Sequence, residues 1–334
     1  MEIILKLSYS KQKYVFILLL IFGFGCKDVS GSSPDNINYR IEMRNFVIAL
    51  SAYADSFNNN FIVIPQNGTA LITTSGEING TIESAYINSV HAVGRESMFY
   101  GYYNDDDLTP PEDSQELLNL CLLWEENSIE VLSTDYCFTH SKMDNSYELN
   151  EQNDFISFAA DQRNLNNIPD YPVIPHNMNS NNIANIADAQ NFLYLINGEN
   201  YSTKTAFIQA VSNTNYDLII MDLFQNDETF SESEITLLKT KANGATRLVI
   251  CYMSIGEAED YRFYWHSNWT TGNPSWLLEE NPNWAGNYKV QYWDSEWQDI
   301  IFGNSDSYLF NILNAGFDGV YLDIIDGYEY FEEM

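Results

Sequence analysis

The chain has 334 residues, of which 45% are hydrophobic, so it can bury one large core, and a single domain of about 250 residues fits within it. Lys and Arg number 15 and Asp and Glu 47, which gives a formal net charge of −32. A surface this acidic repels phosphate backbones, which excludes nucleic acid as a partner and argues against a tRNA-related enzyme. The same charge would attract a cationic ligand, although acidity also serves solubility.

The N-terminal residues have the pattern of an export signal. Three lysines among the first 13 residues precede the apolar run 14–24, which is too short to span a membrane comfortably. The small residues directly before Cys26 resemble a lipobox, where the cysteine is lipidated and becomes the first residue. We therefore predict a signal peptide over residues 1–25 and a lipid-anchored tether over 26–38. The mature protein would be exported and held at a membrane face, periplasmic or on the cell surface.

Strands and helices alternate through the remainder of the chain. The predicted strands are 61–64, 97–102, 129–134, 192–196, 217–222, 248–254, 288–293 and 319–323, with 154–159 as a possible extra strand near a barrel rim. The predicted helices are 40–57, 112–125, 203–213, 231–242 and 308–315, and residues 166–185 read as a long linker. Ser231 and Glu234 fit a capping box at the start of a helix, and Gly316 fits a helix end.

This order predicts an α/β fold with a parallel sheet, because the strands are near-continuous Val, Ile and Leu runs. Eight units favour a (β/α)8 TIM-like barrel as a single domain over residues 39–334. An open doubly wound sheet is the alternative, but no Gly-rich dinucleotide loop follows any strand. The chain ends in what reads as the start of a helix and, after the tether, begins with one. Joining the two would restore the alternation, as in a circularly permuted barrel.

The cysteines and histidines give no metal pattern. Cys121, Cys137 and Cys251 lack CxxC spacing, so we expect buried small hydrophobes, with a disulfide left open. The four histidines are scattered. We therefore predict neither a metal nor another cofactor.

Carboxylates stand at the ends of the predicted strands, where the working residues of such barrels cluster. Asp323, Glu96 and Asp222 each lie beside apolar strand residues, and a buried carboxylate is costly without a partner or a function. Glycoside hydrolysis needs two carboxylates flanking one bond. The structural alternative is that some of them pair with a nearby arginine (Arg95, Arg247 or Arg262) or cap helices.

Long segments carry a resemblance to a known family. Residues 251–265, 280–294 and 316–326 together resemble glycoside hydrolase family 114 and its endo-α-1,4-polygalactosaminidase-like relatives. Three shorter segments (64–67, 96–100 and 131–136) match as well, but they precede the Asp323 strand instead of following it. The resemblance therefore covers nearly all of the mature chain in a circularly permuted order.

The resemblance implies a TIM-like barrel that hydrolyses α-1,4-linked, partly deacetylated galactosamine polymers without a metal. Carried over to this chain, it implies that Asp323 is the nucleophile and Glu96 the general acid/base. The residues that it implies for the sugar subsites are Gln66, Tyr100, Asp135, Asp222, Tyr252, Glu257, Tyr292, Asp294 and Asp326. For Glu257 the alternative is that it anchors its own loop through Arg262. Most of the tryptophans at 265, 269, 276 and 284 are expected to pack in the core, with one or two facing the groove.

Two functions remain open from the sequence. The first is an exported glycoside hydrolase that cleaves an α-linked (amino)galactose-type polysaccharide by a two-carboxylate mechanism. The alternative is a non-catalytic glycan-binding lipoprotein on the same barrel, which would need the groove but no paired acid. In either case we expect a monomer whose partners are a polysaccharide, with a cationic amino-sugar polymer as one candidate, and a membrane reached through the N-terminal lipid.

Overall fold

The computed structural model describes residues 37–334, so the predicted signal peptide, Cys26 and nearly all of the tether lie outside the described residues. The strands are β1 Ile62–Pro65, β2 Ala92–Glu96, β3 Glu130–Tyr136, β4 Ile156–Ala160, β5 Phe192–Leu195, β6 Leu218–Met221, β7 Phe224–Gln225, β8 Glu228–Thr229, β9 Leu248–Ser254, β10 Glu257–Glu259, β11 Leu277–Glu280, β12 Asn287–Val290 and β13 Gly319–Asp323. The helices are α1 Tyr39–Asp55, α2 Ser84–Ile87, α3 Pro111–Glu126, α4 His140–Glu151, α5 Lys204–Ser212, α6 Glu232–Leu238, α7 Ser295–Ile301, α8 Tyr308–Ala315 and α9 Tyr328–Glu332.

Eight of these strands form two parallel sheets. One sheet has the order β1-β13-β9-β6-β5 and the other the order β2-β3-β4. A single parallel bridge between Gln66 and Gly94 joins the sheets at β1 and β2, and β4 lies against β5 at the other side. The strands are buried almost throughout, as expected when helices cover a parallel sheet. The fold is therefore α/β with parallel sheets, as predicted.

The helix boundaries follow the local sequence. The Asn38 side chain accepts a hydrogen bond of 3.1 Å from the N–H of Ile41 and so caps α1. Ser231 and Glu234 form the predicted capping box at the start of α6. Gly316 adopts a left-handed φ of 81° and ends α8, which is also as predicted.

Two predicted strands were wrong, and one segment predicted only as a possible extra strand belongs to a parallel sheet. Residues 97–102 form a loop, and the strand beside it is β2, where Gly94 concealed the pattern. Glycine is required there because a Cβ would collide with the hydroxyl of Tyr321. Residues 288–293 only overlap β12, which belongs to a separate antiparallel sheet of order β10-β12-β11. The possible rim strand 154–159 is β4 and pairs in parallel with β3.

The first and last elements of the described chain are neighbours. Strand β1 pairs in parallel with β13, from Ile62 beside Gly319 to Pro65 beside Leu322. Helix α1 packs on α9, where Arg40 contacts Glu332 at 2.9 Å.

The predictions for the cysteines and the linker hold within the described residues. Cys121, Cys137 and Cys251 are buried and free, in agreement with their prediction as small core residues. The predicted linker 166–185 contains no helix or strand. Within residues 37–334, no helix is both long enough and apolar enough to cross a membrane.

Candidate active site

A cavity of about 360 Å³ lies at the carboxyl ends of the parallel strands. Seven of the predicted site residues line it: Gln66, Glu96, Asp222, Tyr252, Glu257, Asp323 and Asp326. A larger depression of about 720 Å³ lies between residues 76–78 and α3, away from these strand ends. Size therefore does not locate the site, whereas the convergence of strand-end carboxylates does.

The strand pattern directs Asp323 and Glu96 to the same side of the sheets. Alternate residues of a strand share a face, so Asp323 faces the same way as Tyr321, and Glu96 the same way as Gly94. The hydroxyl of Tyr321 packs directly against Gly94. The two carboxylates therefore project from neighbouring positions into one interior, and both line the cavity.

Asp323 is held by two donors and is partly buried at the end of β13. The Tyr252 hydroxyl donates a hydrogen bond of 2.5 Å to its Oδ2, and the Ile324 N–H donates one of 2.8 Å to its Oδ1. Burial, and then the charge of Glu96, raise the pKa of Asp323 to about 8, while both hydrogen bonds act in the opposite direction. The pKa of Asp323 therefore lies well above the ordinary range of a carboxyl group.

Glu96 is fixed by a different pair of side chains. The Tyr136 hydroxyl donates to its Oε1, and the Asn67 side-chain amide donates to its Oε2 at 3.2 Å. Asn67 also accepts from the backbone N–H of Glu96 at 3.3 Å. The guanidinium of Arg163 lies over the Tyr136 ring at 3.9 Å from its centroid. Each carboxylate of the pair therefore has its own tyrosine donor.

The backbone is strained where three strands enter the cavity. Asn67, Ser97 and Ile324 follow β1, β2 and β13, and each has a positive φ, of 59°, 56° and 59°. This region costs a residue other than glycine roughly 1–2 kcal/mol, and a β-branched isoleucine is unusual there. Gly256 leaves room for the turn, because a Cβ at that position would collide with the Ile324 carbonyl. Strain of this kind often accompanies functional sites.

Asp222 belongs to a buried ion network at one wall of the cavity. Arg262 contacts Asp222 at 2.7 Å and Glu259 at 2.6 Å. Burial raises the pKa of Asp222, while the charge of Arg262 acts in the opposite direction. The pairing alternative considered for Asp222 is therefore present, and the network of one cation and two carboxylates faces the cavity.

Glu257 does not anchor its loop through Arg262, so that alternative was wrong. Its buried carboxylate accepts hydrogen bonds from the side-chain amides of Asn281 at 2.8 Å and Asn287 at 3.4 Å. Burial raises the pKa of Glu257. It is thus a carboxylate on the cavity wall held by neutral donors.

Gln66 and Asp326 complete the set of predicted residues that the structure brings together. Gln66 is buried and accepts a hydrogen bond of 2.8 Å from the hydroxyl of Tyr194, whose ring packs 5.2 Å from that of Tyr321. Burial and the nearby Glu329 raise the pKa of Asp326 to about 7. Asp326 and Asp323 therefore both have a pKa raised toward neutrality.

Four predicted subsite residues do not line this cavity, and each has a structural role instead. Tyr292 is buried and donates to the Tyr39 carbonyl at 2.8 Å. Asp294 caps α7 by accepting from the N–H of Glu296 at 2.8 Å. The expectation that site residues lie at the carboxyl ends of parallel strands (the strand-end rule) failed for these two residues, because β12 is not part of the parallel sheets.

Tyr100 and Asp135 support the loop that follows β2. Asp135 is buried and accepts from the N–H groups of Phe99 at 2.9 Å and Tyr100 at 3.1 Å, and from the Ser146 hydroxyl at 2.6 Å. The Tyr100 hydroxyl donates to Asn145 at 2.7 Å. A carboxylate with this many internal donors has no free oxygen to offer a sugar.

The cavity also contains residues that sequence reasoning did not select. They include Asn67, Tyr136, Arg163, Tyr194, Glu259, Tyr261 and Asn287, with Arg262 considered only as an ion-pair partner. Asn67 and Tyr136 directly follow or end strands, so the strand-end rule could have found them. Tyr194 lies within an apolar strand and gave no signal. Trp284, which is 50% exposed, is the tryptophan that lines the cavity, whereas Trp276 is fully in the core.

Comparisons with known proteins match part of the chain. The relatives include "Uncharacterized protein MJ1477" of Methanocaldococcus jannaschii, 44% identical over 159 residues (46% of this chain, 43% of that protein). They also include uncharacterized proteins of Thermotoga maritima, 37% identical over 133 residues (40% of each), and Deinococcus radiodurans, 40% identical over 123 residues (36% of this chain, 37% of that protein). The matches span about two fifths of the length of these relatives.

Residues 176–334 match the family model described as Glycoside-hydrolase family GH114, a family of TIM-barrel type. This segment contains Asp323, Asp222, Tyr252 and Glu257, whereas Glu96 and Gln66 lie before it. The match covers slightly less than half of the chain, and it makes residues 176–334 similar to glycoside hydrolase family 114.

Proposed function

We propose that the chain is an exported, lipid-anchored glycoside hydrolase that cleaves an α-linked (amino)galactose-type polysaccharide with two carboxylates. The observation that carries the proposal is that Asp323 and Glu96 line one cavity, each with its own tyrosine donor. The family match of residues 176–334 supports the reaction class.

In the proposed mechanism, Asp323 attacks the anomeric carbon while Glu96, in its acid form, protonates the departing glycosidic oxygen. The carbon–oxygen bond breaks as the ester to Asp323 forms. Glu96, now a carboxylate, takes a proton from water, and that water displaces Asp323 and regenerates both groups. This mechanism retains the configuration at the anomeric carbon, and it requires the two carboxyl groups to be about 5–5.5 Å apart in the complex.

A cationic substrate fits the electrostatics of this site. The proposed step needs Asp323 ionised and Glu96 protonated, whereas burial and the charge of Glu96 raise the pKa of Asp323 to about 8 and favour the proton on Asp323 in the free enzyme. A sugar ammonium group nearby would favour the ionised form and lower that pKa. Glu257, Glu259 and Asp222 add further negative charge to the wall, offset there by Arg262. The enzyme would thus be activated by the charge of its substrate.

We also propose that the two parallel sheets form one closed barrel with a circularly permuted motif order. The Gln66–Gly94 bridge and the contact of β4 with β5 support closure. The restriction of the family match to residues 176–334, together with the β1–β13 pairing, supports the permuted order.

Export and lipidation rest on the sequence before residue 37. The test is metabolic labelling of the full chain with a radioactive fatty acid, with Cys26→Ser as the variant. Label on the unmodified protein and not on the variant is expected. Equal labelling of both, or of neither, would reject the anchor.

The activity is tested with the purified protein on partly deacetylated galactosaminan, followed by chain length. We expect shortening, and a fall of at least about a thousandfold in turnover for Asp323→Asn and Glu96→Gln, since each removes a group required in the transition state. Tyr292→Phe, outside the cavity, is the matched control.

A non-catalytic glycan-binding protein, the alternative function, predicts a different result in this assay. It requires that the unmodified protein bind the polymer without shortening it, and that Asp323→Asn change neither property. An intact polymer, after incubation with protein that demonstrably binds it, would therefore reject the hydrolase.

A further inference from the structure

A second cavity, of about 320 Å³, adjoins the catalytic cavity. Asp222, Tyr261 and Arg262 line both, as do Ile196 and Asn197, so the two spaces share one wall along the ends of β5 and β6. Each has a volume at the lower end of the range for small-molecule sites. A chain of sugars leaving the catalytic cavity past Asp222 would enter this second space.

The second cavity presents aromatic surface. Phe263 is 47% exposed and Tyr261 57% exposed, and both line it. Phe224 lies behind Phe263, with ring centroids 5.9 Å apart, and supports its position. Neighbouring exposed aromatics of this kind are typical of binding surfaces. The Arg262 guanidinium lies 5.2 Å from the centroid of the Tyr261 ring, so Phe263 is the ring assigned to a sugar ammonium group.

The walls of this cavity are held in place by internal contacts. The Gln225 side-chain amide donates to the Gly198 carbonyl at 2.8 Å, which ties the β7–β8 hairpin to the loop after β5. A Cβ at Gly198 would meet the end of the Gln225 side chain, which would have to move. The hairpin turns through Asn226 and Asp227, with φ of 50° and 64°, as two-residue hairpins require. The cavity is therefore preformed.

Two carboxylates complete the lining. Glu199 accepts a hydrogen bond of 2.7 Å from the side-chain amide of Asn166. Asp227 is exposed and takes part in no ion pair within residues 37–334. Aromatic faces beside carboxylates are complementary to a sugar ring that carries a positive charge.

We infer that this second cavity is an outer subsite that binds a further amino-sugar unit of the polymer, so that the enzyme prefers long chains to short ones. The identity of the sugar class rests on the proposed function, whereas the position of the subsite rests on the cavity itself. Phe263 would stack on the unit and Asp227 would bind its ammonium group.

The test uses Asp323→Asn as the background and measures binding by calorimetry. The ligands are a disaccharide and a pentasaccharide of deacetylated, α-1,4-linked galactosamine. We expect the pentasaccharide to bind about tenfold more tightly, and Phe263→Ala to remove most of that gain. Asp227→Asn should weaken pentasaccharide binding about threefold and leave the disaccharide unchanged. Asparagine tolerates the same positive φ, so this second variant retains the turn.

Asp154→Asn is the matched control, because Asp154 is also exposed, has a φ of 61° and precedes β4, at the end of the sheet opposite the cavity. It should bind both ligands unchanged. The subsite would be overturned if the two ligands bound with equal affinity or if neither bound. It would also be overturned if pentasaccharide binding were unchanged in both Phe263→Ala and Asp227→Asn. Cleavage of the polymer by the unmodified enzyme is measured in a separate assay. Its absence would reject the proposed hydrolase. The dependence of binding on chain length in the Asp323→Asn background would still test the subsite.

Discussion

The hydroxyl of Tyr252 donates a 2.5 Å hydrogen bond to Asp323 across two hydrogen-bonded strands. The register of β9 and β13 sets Tyr252 beside Tyr321, two residues before Asp323 on the same face. Diagonal neighbours of this kind lie within reach of a long aromatic side chain. The pairing of the strands therefore places the donor, and the length of tyrosine spans the gap.

Replacing Tyr252 by phenylalanine should slow turnover about 10- to 100-fold and change KM little. The Tyr252 hydrogen bond lowers the pKa of Asp323, so its loss should move the ionisation of Asp323 to higher pH. The measurement is the pH dependence of kcat and kcat/KM, in which the limb assigned to Asp323 should shift upward. Tyr292→Phe removes a buried hydroxyl outside the cavity and should leave the profile in place. A slower Tyr252→Phe enzyme with an unmoved limb would assign Tyr252 another role.

Asp323 should make the protein less stable as the pH rises. Its folded pKa of about 8 exceeds the ordinary value of 3.8, so between these values the folded state binds the proton more tightly than the unfolded state. The free energy of unfolding therefore falls as pH rises through this window. Asp323→Asn removes this dependence and should be more stable than the unmodified protein at pH 9, by on the order of 2 kcal/mol. Urea unfolding at several pH values checks this, and a constant difference from pH 4 to 9 would refute it.

Glu257→Gln should discriminate between charged and neutral sugars. The buried carboxylate accepts hydrogen bonds from the amides of Asn281 and Asn287, and its cross-strand neighbour Lys289 favours the ionised form that would bind an ammonium group. We expect KM for the deacetylated polymer to rise about tenfold, as for loss of one charge-assisted contact. The N-acetylated polymer is the internal control and should show no comparable change. An equal effect on both polymers would mean that Glu257 acts on the shape of the cavity.

The buried ion pair of Lys241 and Asp217 should be essential for stability. Both side chains are fully buried and their charged atoms lie 2.7 Å apart. Lys241→Met leaves the charge of Asp217 unpaired and should cost about 3–5 kcal/mol of unfolding free energy. Lys239→Met, which breaks the more exposed pair with Asp318, should cost less than about 1 kcal/mol. Denaturant unfolding measures both, and similar losses would contradict this ranking.

The sequence predicted the parallel α/β architecture and most of the cavity because both depend on local patterns. Continuous apolar runs marked β1, β6, β9 and β13, and position at a strand end singled out Asp222 and Asp323, whereas Gln66, Glu257 and Asp326 came from the family resemblance. Strand β2 was not predicted, because Gly94 and Arg95 interrupt its apolar pattern. The reason for Gly94 is Tyr321, more than 200 residues away in the sequence and therefore invisible to a local pattern.

The errors at Asp135 and Asp294 have a related cause. Each follows an apolar segment, as a site residue would. Their roles depend on which backbone N–H groups lie nearby, and those come from Phe99 and Tyr100 for one and from Glu296 for the other. A short-range pattern can mark a polar residue at a strand end, but it does not reveal whether internal donors already occupy its oxygens.

The pairing of β1 with β13 has a consequence for dissecting this protein. A fragment cut at residue 176, the start of the family match, would keep Asp323 but lose its partner acid and the strand that covers β13 on one side. The freed edge would offer a row of unsatisfied amides and carbonyls to other chains, which invites aggregation. Gene truncation guided by similarity alone would therefore yield an insoluble half of a catalytic centre.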